Sequence, residues 1–72
     1  MSGHAYVYDL ESSTRYVLVR GRVKDVLASQ GIPTMWAPLS RGWHVRKERA
    51  ADASAILEAA GLHVHHVGGD PR

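Results

Sequence analysis

Strand-like patterns of apolar and polar positions mark five stretches of the chain, and apolar positions recur with helical spacing in two others. Residues 5–10, Ala-Tyr-Val-Tyr-Asp-Leu, and Arg15 to Arg20 are rich in Tyr, Val and Leu, residue types that suit a pleated, half-buried strand. Between them, Glu11-Ser12-Ser13-Thr14 is polar and turn-like, so the two stretches can pair as a hairpin, or the first can be a loose arm. In Arg22–Gln30, Val23, Val26 and Leu27 fall at i, i+3, i+4, one apolar stripe of a helix. Gly31 is its natural stop, Ile32 can fold back on the last turn, and Pro33 blocks continuation. Thr34–Ala37 is a short strand carrying Met35 and Trp36, which Pro38 ends or confines to a sheet edge. Leu39-Ser40-Arg41-Gly42 turns the chain, and Trp43–Lys47 returns as a strand. Glu48–Ala60 is the longer helix, with Ala50, Ala53, Ile56, Leu57 and Ala60 inward and Asp52 and Glu58 in water. Gly61 ends it, and Leu62–Val67 is the last strand.

A weak internal repeat orders these elements. Val19-Arg20-x-Arg22-x-x-Asp25 is echoed by Val45-Arg46-x-x-Arg49-x-x-Asp52, and Leu27-x-x-x-Gly31-Ile32 by Leu57-x-x-x-Gly61-Leu62. From valine to glycine is 12 residues in the first unit and 16 in the second, a difference of about one helical turn. Two β-α-β units joined by a hairpin give βαββαβ, so the expected fold is α+β and ferredoxin-like. That fold is a four-stranded antiparallel sheet with two helices on one face. Residues 1–14 would be an N-terminal arm or extra strand, 15–67 the domain, and 68–72 a C-terminal tail; Met1–His4 receive no role.

Alternation divides each strand between two faces. The most apolar sets, including Trp43 with Val45 and Val17 with Val19, should meet the helices. Tyr16, Leu18, Arg20, His44, Arg46, His63 and His65 are then left on the open face, with Trp36 a further candidate. Trp43 and His63 should thus lie on opposite sides.

Composition narrows the chemistry. A chain of 72 residues is one domain with a thin core, since a domain of this size buries roughly 60% of its unfolded surface. There is no cysteine, which excludes disulfides, thiolate metal sites and cysteine nucleophiles and fits a reducing cytoplasm. No apolar run approaches the ~20 residues of a membrane helix, and the N-terminus lacks signal-peptide order, so no membrane partner is expected. The net charge is only +2, yet residues 15–49 hold eight basic side chains against Asp25 and Glu48, a local +6. The remainder is −4, and such asymmetry can mark an anionic partner.

Aromatic rings beside arginines on an open sheet can stack bases and hold phosphates. The candidate nucleic-acid contacts are Arg20, Arg22, Arg41, Arg46 and Lys47 for phosphates, with Tyr16 and Trp36 for stacking. Arg41-Gly42-Trp43 resembles the start of an RNA-recognition-motif strand, but the second aromatic of that motif is Val45 here. The motif also needs Trp43 outward, against the alternation. His63-x-His65 sets two imidazoles on one side of a strand; zinc needs a third ligand, for which His44 is the candidate by type, and no metal or other cofactor is assigned. Arg22–Asp25 and Arg49–Asp52 have the spacing of surface helix pairs rather than catalytic dyads. Ser29 and Ser40 lack a base, and no phosphate-cradling glycine motif occurs, so an enzyme is the least favoured class.

The stretch from Gly21 to Arg46 resembles short proteins of actinobacteria and their phages, mycobacteriophages in particular, over residues ~15–67 by the element boundaries drawn above. The resemblance implies a small cytoplasmic accessory protein directed at DNA or at the host, and transfers no functional residues. Together these readings predict a small non-enzymatic nucleic-acid-binding protein. The alternative is a homodimeric protein-interaction module acting on a host or partner protein.

Overall fold

The computed structural model describes residues 3–11 and 13–69. In chain order it contains β1 (Gly3–Asp9), β2 (Tyr16–Arg20), α1 (Lys24–Ser29), β3 (Met35–Ala37) and β4 (Gly42–Arg46). A 3-10 turn over Lys47–Arg49 then leads into α2 (Ala50–Ala59), and β5 (Leu62–Gly68) follows. The architecture is α+β, a five-stranded sheet in the order β3-β4-β2-β1-β5 with both helices packed on one face. Residues 70–72 of the expected tail lie outside the described residues.

The sheet is not the four-stranded antiparallel one that the repeat implied. The β3-β4-β2 portion and the two helical crossovers keep the split βαββαβ order, compatible with a ferredoxin-like type of fold. However, β1 lies between β2 and β5. It runs antiparallel to β2, with Val7 opposite Val19, and parallel to β5, with Ala5 opposite Val64, so the sheet is mixed. The reason is local. A hairpin closed by the short 10–15 connection costs little loop entropy and takes the free edge of β2. β5 then aligns with all seven residues of β1, whereas β2 has only five.

The helix-facing side of the sheet is aliphatic. Ala5, Val7, Val17, Val19 and Val45 pack against Val23, Leu27 and Ile32 around α1 and against Ala53 and Leu57 of α2. The apolar stripes read from the sequence supply most of these contacts, but Ala60, expected inward, is exposed beyond the end of α2 while Ser54 is buried; α1 begins two residues later than expected and α2 begins as a 3-10 turn. The end of α1 is a Schellman motif. Gly31, at φ 75°, donates to Ala28 O at 3.1 Å, and Ile32 donates to Leu27 O at 3.0 Å, which turns the Ile32 side chain back into the core.

Two glycines allow close approaches. Gly21, at φ 127°, lets the chain leave β2 against β1; a Cβ there would lie 2.7 Å from the His4 carbonyl oxygen. Gly42 leaves room for Leu18, whose Cγ and Cδ1 would each be 2.9 Å from an added Cβ. Leu18 is fully buried although it points away from the helices, so the open face has a small apolar floor of its own.

Candidate nucleic-acid interface

Cross-strand partners share a face, so the register fixes which side chains stand on the open side. On β1 and β5, His4 is opposite His63, Tyr6 opposite His65, and Tyr8 opposite Val67. On β2, Arg20 faces Tyr6 and Leu18 faces Tyr8. On β4, His44 is opposite Leu18 and Arg46 opposite Tyr16, and Met35 of β3 completes the row beside His44. All three tyrosines of the chain and four of its five histidines therefore stand on one side of the sheet. No Asp or Glu occupies an open-face position of any strand.

The rings form two groups. Near β5, His4 stacks with His63 and His65 at centroid distances of 5.4 and 5.2 Å, and Tyr6 stacks on His65 at 4.8 Å. The His4 Nδ1 and His65 Nε2 atoms are 2.9 Å apart, a hydrogen bond in which one ring donates and the other accepts. Near β4, Tyr16 stacks on His44 at 5.6 Å. Leu18 and Arg20 lie between the groups. The Arg20 guanidinium sits 5.3 Å from the Tyr8 ring centroid and gives two hydrogen bonds, at 3.0 and 2.6 Å, to the Ser40 carbonyl oxygen. Two of its five N–H groups are thus committed to holding the β3–β4 turn.

The seven residues selected from the sequence do not all converge. Tyr16, Arg20 and Arg46 share the open face. Arg46 makes a 3.4 Å contact to Glu48 in which both side chains are mostly exposed, a pair too screened to hold the arginine in place. Arg41 lies in the β3–β4 turn, and Arg22 in the bend between β2 and α1. Lys47 is turned away, because the strand ends at Arg46; its ammonium is 3.0 Å from Asp9 Oδ1, beside a groove walled by Ala50, Ala51 and Ser54 of α2. Trp36 is also on the helix side, opposite Trp43 with ring centroids 4.9 Å apart, so it does not join Tyr16. Trp43 itself faces the helices as the alternation requires, with Lys24 Nζ 5.5 Å from its ring centroid. The strand that resembles an RNA-recognition motif therefore does not present its tryptophan outward, and its one open-face ring is His44.

The sequence reading missed His4, Tyr6 and Tyr8. Their signal was the alternation His-Ala-Tyr-Val-Tyr, in which Ala5 and Val7 are the buried partners. It carried no weight while that stretch stood as either a hairpin strand or a loose arm with no face assigned; the hairpin is what forms. The nearest imidazole to His63 and His65 is accordingly His4, not His44, which lies across both β1 and β2. Among the described residues no group of three His, Cys, Asp or Glu side chains is arranged to hold a metal ion, and no helix is long and apolar enough to cross a membrane.

No family model matches the chain, and comparison with curated proteins and with solved structures gives no match.

Proposed function

We propose that this protein is a small non-enzymatic binder of single-stranded nucleic acid, and that its ligand lies across the open face of the sheet. The observation that carries this reading is the concentration of seven rings and two arginines on one sheet face whose strand positions hold no Asp or Glu. Tyr6 is 39% exposed even though one face of its ring stacks on His65, which leaves part of the ring open to a base. Flat rings stack unpaired bases with little regard to sequence, and each such stack is worth about 1–3 kcal/mol. A duplex hides its base faces and would gain only the phosphate contacts. Arg46 and the unspent N–H groups of Arg20 serve the backbone, with Arg22 and Arg41 at the ends of the strands extending the track. Trp36 and Lys47 lie outside this ligand path. An accessory role in an actinobacterial host or one of its phages, carried out in the cytoplasm, belongs to the same proposal.

Fluorescence anisotropy with labelled single-stranded DNA, single-stranded RNA and duplex, each titrated at several salt concentrations, tests it. Micromolar binding that prefers the single strands and weakens with salt is expected, with log K falling by about 0.7 per phosphate contact against log salt. No binding near micromolar, or binding indifferent to salt, would contradict it.

A second reading is a protein-interaction module, favoured by the β3–β4 end. Met35 is 53% exposed, Trp36 49% and Leu39 fully exposed, and large exposed apolar side chains at one end of the sheet suit a protein partner. Loss of a partner in pulldown on Trp36→Ala, with oligonucleotide binding absent throughout, would favour it over the first.

A further inference from the structure

The two edges of the sheet are built differently. β3 is three residues long and bracketed by Pro33 and Pro38, which is a blunted edge. β5 is seven residues long, Leu62-His-Val-His-His-Val-Gly, with no proline, lysine, arginine, aspartate or glutamate. It hydrogen-bonds to β1 on one side and has no strand on the other among the described residues. Along the strand itself, neither charge nor proline guards the edge.

We infer that β5 pairs antiparallel with β5 of a second copy of this chain, giving a continuous ten-stranded sheet whose two ring-bearing faces form one surface. Three observations select a second copy as the occupant. First, the strand carries no fixed charge, so it can meet itself without like-charge repulsion. Second, in antiparallel pairing the two-fold axis is normal to the sheet, so both open faces emerge on the same side. Third, the ring row runs to the very edge: His63 and His65 are edge residues, and they stack on His4 and Tyr6 one strand in. From β4 to β5 the row crosses three inter-strand gaps, about 14 Å. Pairing at β5 doubles it without interruption. Centred on His65, the register sets His65 against its own copy, Val64 against the other chain's His66, and His63 against its Val67. The pairing does not depend on the nucleic-acid reading.

Sedimentation of the full chain without nucleic acid is the first test. A species of twice 7.9 kDa is expected, and a monomer up to about millimolar concentration would overturn the pairing. His66→Lys places a cation on the exposed edge but on the helix side, away from the rings, and should shift the protein to monomer with unchanged circular dichroism. Because the chain has no cysteine, single substitutions report the register cleanly. Among His63→Cys, Val64→Cys, His65→Cys, His66→Cys and Val67→Cys, mild oxidation should cross-link one position far more than its neighbours, the one nearest the axis. A dimer that forms with no cross-link anywhere along β5, or that survives His66→Lys, is held by another surface and overturns the pairing. Oligonucleotide binding by the His66→Lys monomer separates the two proposals: if it persists, the ring face acts within one chain whether or not β5 pairs.

Discussion

The two faces of the sheet are made from the same five strands and obey different chemistry. On the helix side the strands contribute Ala5, Val7, Val17, Val19 and Val45, small aliphatic side chains that let α1 and α2 approach closely. On the open side the same strands contribute tyrosine, histidine and arginine around one buried leucine, Leu18. The first set hides its surface from water and stabilises the fold. The second leaves ring faces in reach of a ligand. On the proposed reading, strand alternation assigns stability mainly to the helix side and ligand contact to the open side, with Leu18 the open-face residue that serves the fold.

The largest expected effect is on stability from the helix side. Leu57 is fully buried between α2 and the sheet, and Leu57→Ala should cost about 2–5 kcal/mol in urea unfolding, enough to unfold a domain of this size. Leu18→Ala sharpens the comparison, because Leu18 is equally buried on the opposite face. It should cost a similar ~2–5 kcal/mol, and a neutral result would mean that the open face has no apolar floor. Next comes Gly42→Ala, whose added methyl must displace the Leu18 side chain, at about 1–3 kcal/mol.

The following pair separates the faces by ligand binding. Tyr6→Ala should weaken single-strand binding by ~1–3 kcal/mol, roughly 5- to 150-fold, while Trp36→Ala on the helix side leaves it unchanged. Equal losses from both would erase the distinction. The smallest effects are electrostatic. Arg46→Gln should flatten the salt slope by about 0.7, whereas Lys47→Ala loses only its Asp9 contact, within ~1 kcal/mol of stability, and keeps the slope.

Much of this division was legible in the sequence. The 3.6-residue stripes of both helices, the Gly31 stop, and the opposite facing of Trp43 and His63 all follow from periodicity and glycine chemistry. The position of β1 was not. Pairing partners are long-range choices, and nothing in Ala5–Leu10 distinguishes an internal strand from an edge one. The repeat, moreover, matched a four-stranded arrangement that needs no extra strand. A three-residue strand offers too little alternation to set the phase of Trp36, which stands on the helix side. Lys47, read as the last residue of the strand, instead opens the 3-10 turn, into which alternation does not extend. The grouping of His4, Tyr6 and His65 needed the β1–β5 register, which exists only in three dimensions.

Mapping a short single-stranded oligonucleotide onto the folded chain by NMR chemical-shift perturbation tests the central claim most directly. The ring signals of Tyr6, Tyr16, His44 and His65 and the guanidinium of Arg46 should move together, while Ser54, Ala55 and Trp36 on the helix side stay in place. Shifts confined to the helix side, or no shifts at millimolar oligonucleotide, would contradict the assignment of the open face as the binding surface.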